Sequence, residues 1–376
     1  MLTKIRFAPL LAAFAMAAAL LPAPSEAEAA PKKKTTASQK AAKAGAHKAS
    51  GKKARHKTGK KSGKKSGHKA AASSYSDRTN TIAGFPVEVS SIVMVLEGPD
   101  KFRILSEDLP HARRTPASVT KLMTLAVLFD ELEAKRVHLE DMIEMPSGDP
   151  GGGKLGLPAG YKISVKNAIL AMVTKSANDA ALAIAEHIGG SEAKFAEMMN
   201  KKAAAIGMAN SHFVNAHGMR DARQYSTAYD LAMLSRHLLQ DHSEHYHYFS
   251  TLSFIFGKQT YGNHNQLMRQ YEGMDGLKTG MTFHGWQLAA SAERTKQADP
   301  ESDEPAVKHR LIGVFLGGIT KAQRNNCLGY LLDQGYAALG HDLPPSKFRY
   351  STMACTSARN ASPAPAPAPA PAAAKP

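Results

Sequence analysis

The sequence predicts an α+β domain: an antiparallel sheet with flanking helices and an inserted all-helical region. Three observations carry this. Residues 88–107 read as a strand hairpin. From Pro116 to about Gln240 the apolar spacing is helical. After Met274 the strand pattern returns and is followed by one last helix. Strands, then a block of helices, then strands and a helix again is the order of a sheet interrupted by a helical insertion.

Each element has a local reason. V-S-S-I-V-M-V-L and F-R-I-L flank the turn residues E-G-P-D-K, a hairpin signature. Helices are expected at 117–134, 164–174, 179–188, 192–206 and 227–240, with Gly189-Gly190 and Gly207 as stops. Pro116 suits a first helical turn, where its missing N–H costs nothing. D-G-L-K-T-G opens the returning strands. W286-Q-L-A-A-S-A and L311-I-G-V-F-L-G-G follow, with a polar loop expected from Thr295 to His309, and a last helix spans about 321–339. No internal repeat is visible.

The chain of 376 residues is long enough for two domains, yet its ends do not read as domain. Residues 1–30 join a basic start to the apolar run Phe7–Leu21 and then small residues, as in a secretory signal peptide. The run is short for a spanning helix, and no other segment is long and apolar enough to cross a bilayer. Residues 31–79 form a Lys-rich linker. Its first part, 31–71, holds 15 of the 48 Lys+Arg residues and no acid, whereas beyond 71 there are 31 basic and 30 acidic residues. The net charge of +16 is therefore the tail's, and that segment cannot bury a core. A catalytic body is expected over 80–345. A Pro/Ala-rich tail follows over 346–376, ending in alternating Pro-Ala suited to extended polyproline II. Cys327 and Cys355 are the only cysteines. An exported chain can pair them, or Cys327 can be a buried thiol in its helix, and the sequence leaves both open.

The chemistry begins with T115-P-A-S-V-T-K-L-M-T124. On a helix, Ser118 and Lys121 lie on one face at i and i+3, close enough for a nucleophile to meet its base. Alone the pair reads more readily as an N-cap serine beside a solvated lysine. Two further elements change the balance: S176-A-N178 between two apolar helices, and K278-T-G280 on the first strand after the helical block. A trio of this type, in this order, belongs to penicillin-binding proteins and class A β-lactamases.

With these residues the chain resembles the D-alanyl-D-alanine carboxypeptidases, the low-molecular-mass penicillin-binding serine peptidases. The resemblance also rests on K-S-A-N-D-A-A-L-A-I-A-E, F-V-N-A-H-G-M, Y-S-T-A-Y-D-L-A and N-H-N-Q-L, and covers about residues 80–340. It implies the β-lactamase/penicillin-binding-protein-like fold. It implies Ser118 as nucleophile, Lys121 as base and Ser176 as proton relay, although a helix N-cap explains Ser176 equally well. Asn178 is expected at the substrate's peptide group. Lys278 and Thr279 are expected at its carboxylate, and Gly280 where the strand approaches closely. The backbone N–H groups of Ser118 and Met281 would form the oxyanion hole, with Met281 standing where many relatives have histidine. The chemistry calls for no cofactor and no metal. The expected partners are peptidoglycan stem peptides, with β-lactams as covalent inhibitors.

Other readings are weighed against this one. His217 is tempting as a base, but Lys121 fills that role and a structural histidine is preferred. H242-S-E-H-Y-H-Y248 matches no standard zinc spacing and reads as a solvated helix end. G151-G-G-K-L-G lacks the G-K-[ST] of a phosphate loop and is placed as a flexible loop near the cleft. A class A β-lactamase needs a glutamate for deacylation, and the nearest candidate, Glu197, falls inside a helix. A D,D-endopeptidase would use the same residues on peptidoglycan cross-links and is the second enzyme reading. The tail resembles histone-like basic segments, but an exported chain would meet anionic envelope polymers rather than nucleic acid. The expected location is the periplasm, with membrane association through an uncleaved leader or the basic tail as the alternative.

Overall fold

The computed structural model describes residues 81–82, 85–86, 89–283, 285–298, 305–351 and 355–357. The expected leader, the basic linker and the Pro-Ala repeat lie outside these residues.

Strand alternation builds the sheet. A short pair, β1 (Thr81–Ile82) and β2 (Phe85–Pro86), precedes β3 (Ser90–Leu96) and β4 (Phe102–Asp108). On β3, Ile92 and Met94 point to one apolar cluster while Val93 and Val95 point to another. A strand buried on both faces reads as a continuous apolar run, and this one does.

The helical block follows. A 3-10 turn, Ala117–Thr120, leads into α1 (Lys121–Glu133). The strand pair β5 (Met142–Glu144) and β6 (Lys162–Ser164) precedes α2 (Val165–Thr174), α3 (Asn178–Gly189), α4 (Glu192–Ala205) and α5 (Ala228–Gln240). Side chains of Ser164, Ser191 and Thr227 accept hydrogen bonds from the backbone three residues on, capping α2, α4 and α5. α1 is apolar nearly all round, and Leu122 to Phe129 are fully buried but for Val127. It is the central rod, touched by α3, α4 and α5.

The chain then makes the short helix α6 (Ser243–Tyr246) and a 3-10 turn over His247–Ser250. His242, Tyr248 and Phe249 in this stretch are buried, so it packs inward rather than ending as a solvated helix. The hairpin β7 (Ser253–Phe256) and β8 (Gln259–Gly262) leads to β9 (Met274–Thr282), β10 (Gly285–Lys296), β11 (Val307–Gly318) and α7 (Lys321–Ala338).

The main sheet is antiparallel throughout, in the order β4-β3-β11-β10-β9. One face carries α7 through Leu328, Leu332 and Tyr336; the other carries the helical block. The hairpin β10–β11 runs into the segment expected as a polar loop, since Thr295 pairs with Lys308 and Lys296 with Val307. Cross-strand ion pairs, Glu293 with Arg310 and Lys308, hold this polar part as strand.

Packing also continues past the expected boundary at 345. Phe348 lies against Gly329 of α7, Tyr350 stacks on Tyr330, and Ser357 donates through its backbone N–H and hydroxyl to Asp108 of β4. Cys327 and Cys355 form a disulfide, with Cα atoms 5.3 Å apart. Among the described residues no helix is long and apolar enough to cross a membrane.

Candidate active site

Ser118 sits in the 3-10 turn and Lys121 opens α1, so the two side chains meet across one helical turn, Nζ to Oγ 3.2 Å. Lys121 is fully buried and also donates to Asn178 Oδ1 at 2.6 Å and to the carbonyl of His217 at 2.7 Å. Burial foremost, and then the nearby Lys278 charge, hold its ammonium well below the ordinary lysine range; Asp179 opposes this more weakly. A neutral amine has two N–H bonds and one lone pair. The Asn178 and His217 oxygens take the N–H bonds, which leaves the lone pair for the Ser118 hydroxyl.

Asn178 is fixed for this role. Its Nδ2 donates to the carbonyl of Gly151 at 2.7 Å, so Oδ1 faces Lys121. One N–H of its amide is thereby engaged within the protein, while Asn178 still lines the cleft where it was expected to meet substrate. The Gly151–Gly153 loop does border the cleft, and Asp179 clamps its continuation by accepting from the N–H groups of Leu155 and Gly156.

Ser176 is not the N-cap of α3, a place taken by Ala177. It adopts a left-handed φ of 61° and accepts from Lys278 Nζ at 3.0 Å. Lys278 also donates to the Thr279 carbonyl at 2.9 Å. Its pKa is lowered to about 7, chiefly by burial and then by Arg324.

β9 is an edge strand, and it runs close against the nucleophile's turn. A Cβ at Gly280 would lie 2.9 Å from Ala117 Cβ and 3.2 Å from the Ser118 nitrogen, so only glycine permits the approach. Sequence reasoning missed a second such contact. A Cβ at Gly218 would lie 1.9 Å from the Ala117 carbonyl oxygen. Ala117 itself has a left-handed φ of 52°, so Gly218 and Gly280 pinch a constrained turn from two sides.

His217 presents its carbonyl to Lys121, not its ring. Nδ1 accepts from the Met219 N–H at 3.1 Å, so Nε2 carries the proton and faces Glu192 at 3.2 Å. Burial first, then Lys121, lower its pKa to about 4, so it stays neutral.

A cleft of about 310 Å³ joins these parts and is lined by Ser118, Ser176, Asn178, Thr279, Gly280 and Met281. Met281 is 58% exposed at its mouth. The sequence reading missed a cationic wall of Lys175, Lys321 and the buried Arg324 beside Trp286. The N-H-N segment was quoted as a motif, but its His264 was given no place there. No described cleft residue is acidic, and Glu197 is exposed on α4 outside it.

The arrangement is that of an active-site serine with an amine base and an anion-seeking edge strand, on a fold of the penicillin-binding kind. A family model described as D-alanyl-D-alanine carboxypeptidase matches residues 78–298, and the chain belongs to that family. The chain is 32% identical over 259 residues to the D-alanyl-D-alanine carboxypeptidase DacA of Haemophilus influenzae, covering 67% of this chain and 63% of that one. The match thus spans less than two thirds of that relative. Among solved structures, penicillin-binding protein 5 of the same organism matches with a TM-score of 0.59 and 32% identity, over 66% of this chain and 70% of that one. Penicillin-binding protein D2 of Listeria monocytogenes, in its cefotaxime-bound form, matches with a TM-score of 0.57 and 26% identity, over 66% of this chain and 96% of that one.

Proposed function

We propose that this protein is an exported serine D-Ala-D-Ala carboxypeptidase that trims peptidoglycan stem peptides through an acyl-enzyme. The observation that carries the reading is Lys121, whose two N–H bonds have fixed acceptors and whose lone pair is left for Ser118. Ser118 Oγ attacks the carbonyl of the penultimate D-Ala as Lys121 takes its proton. The Ser118 and Met281 N–H groups receive the oxyanion, each donor supplying about 3–4 kcal/mol in sites of this kind. Ser176, which accepts a hydrogen bond from Lys278, relays the proton that Lys121 took from Ser118, giving its own hydroxyl proton to the leaving D-Ala amine as it receives that one. The terminal carboxylate lies along β9, met by the Thr279 hydroxyl and the charges of Lys278 and Arg324. Water then hydrolyses the ester.

β-Lactams enter the same site as covalent inhibitors. With no carboxylate in the described cleft to activate the deacylating water, their adducts persist. The leader directs the chain to the periplasm, and the basic segment 31–71 associates with anionic envelope polymers.

The test is intact mass after incubation with a fluorescent penicillin, alongside D-Ala release from a pentapeptide. Wild type should carry one lasting adduct and release D-Ala. Ser118→Ala should form no adduct and lose release by a factor on the order of 10⁴ or more. Cleavage of a cross-linked dimer without D-Ala release would replace this reading by the endopeptidase. Steady antibiotic turnover would replace it by a β-lactamase.

A further inference from the structure

At the far end of α1 from Ser118, three lone pairs converge from distant parts of the chain. Asp130 lies on α1, His237 on α5, and His242 just beyond α5. One ligand-type atom from each lies within 4.8 Å of the others. His242 is only 2% exposed, yet its Nε2 has no hydrogen-bond partner among the described residues and points at Asp130 Oδ1 from 3.5 Å. Its other ring nitrogen lies 2.7 Å from Glu133 Oε1. A proton on Nδ1 makes that contact a hydrogen bond and leaves Nε2 a bare acceptor facing another acceptor. His237 repeats the pattern. Its Nδ1 is bonded to Asp241, so its Nε2 also turns a lone pair inward.

A buried acceptor facing a partly exposed carboxylate calls for a cation between them. Lys202 now serves in part. Its ammonium lies 2.6 Å from Asp130 and 3.5 Å from His237 Nε2, but no hydrogen bond from it reaches His242 Nε2. Asp130, Glu133 and Asp241 outweigh the Lys202 ammonium around the two imidazoles, and Arg136, the next cation toward Asp130, is bound to Glu131. Each histidine is held by a carboxylate through the ring nitrogen turned away from the cluster, the outer-shell arrangement that orients metal-binding imidazoles.

We propose that Asp130, His237 and His242 form a binding site for a divalent transition cation of the zinc class, in competition with Lys202. Two imidazole nitrogens and one carboxylate oxygen are a zinc-type donor set, and the fourth position opens to solvent on the partly exposed Asp130 side. Bond lengths of about 2.0–2.2 Å put tetrahedral ligand atoms roughly 3.3–3.5 Å apart. The His242–Asp130 pair already has that spacing, and a small closing movement brings in His237 once Lys202 swings outward. The sequence reading assigned no metal because it weighed only the spacing within 242–248. It could not see Asp130, more than a hundred residues earlier, or the burial of His242.

The experiment is isothermal titration of chelator-stripped full-length protein with Zn²⁺, with Co²⁺ absorption reporting coordination. The full chain also carries histidines in the basic segment, whose weaker zinc contacts form a background common to every variant, separate from the one site sought. Wild type should show one site that His242→Ala and His237→Ala each weaken at least tenfold, with loss of the four-coordinate Co²⁺ spectrum. Lys202→Met removes the competing ammonium and should tighten the site about tenfold. This variant guards against a fold lost in the histidine variants, as does unchanged labelling by fluorescent penicillin. Absence of such a site, or zinc binding indifferent to both histidine substitutions, overturns the proposal.

Discussion

Lys121 and Lys278 are both buried, one beside the proposed nucleophile and the other beside the proposed proton relay and anion site, and the pH dependence of the proposed reaction follows from keeping them in opposite charge states. Lys121 must be neutral to accept the Ser118 proton, and burial with the Lys278 charge depresses it well below the ordinary range. Lys278 must be charged to hold a carboxylate, and its own pKa is lowered to about 7 by burial and Arg324. The signs are opposite: protonation of Lys121 on the acid side stops attack, while deprotonation of Lys278 on the alkaline side weakens binding. In the free enzyme kcat/KM should therefore peak and fall through an alkaline limb near 7. In the complex the bound carboxylate stabilises the ammonium, so the limb of kcat should lie higher. Lys278→Arg should move the kcat/KM limb upward. A kcat/KM that stays flat from pH 7 to 9 on a soluble pentapeptide would refute this division of labour.

Elements were legible where one physical signal dominated. The i, i+3 placement of Ser118 and Lys121, the apolar runs of β3 and β11 and the helix stops at Gly190 and Gly207 all depend on neighbours in sequence. What escaped depends on neighbours in space. The ribbon extending β10 and β11 is polar and held by ion pairs, so no hydrophobic pattern announces it. Gly218 carries a steric role that only its contact with Ala117 reveals, and Arg324 enters the cleft from a helix whose start reads as ordinary surface. The strap after α7 was likewise read as tail. There the Cys327–Cys355 bond closes a span of 28 residues, worth about 3–4 kcal/mol by the entropy of the loop it removes from the unfolded chain. Cys355→Ala should lower the melting temperature by on the order of 10 °C, since a domain of this size shifts a few degrees per kcal/mol. Penicillin acylation at 25 °C should hardly change, because no described cleft residue lies on the strap. An unchanged melting temperature would mean that the Phe348, Tyr350 and Ser357 contacts hold the strap without the disulfide.

Over the whole molecule, charge and chemistry are divided along the chain. Every residue placed in the site lies between Ala117 and Arg324, in a body that is nearly balanced in charge, while 15 basic residues and no acid fill 31–71. Such a segment contributes attraction to anionic surfaces, about 1 kcal/mol per basic residue near the surface, screened over roughly 10 Å at 0.1 M salt. The proposed mechanism draws no group for acyl transfer from it. Deleting 31–71 should therefore separate two measurements. Binding to phosphatidylglycerol vesicles should be strong at low salt, fall steeply as salt rises, and vanish in the deletion. Release of D-Ala from a soluble pentapeptide should stay within about twofold, since the described residues that shift the pKa of Lys121, Lys278 and Asp179, are in the body. A large loss of rate on the soluble peptide would make the segment part of the working enzyme rather than a tether. Vesicle binding that survives the deletion would move the envelope contact to the body, where the cationic wall of Lys175, Lys321 and Arg324 would be the next surface to neutralise.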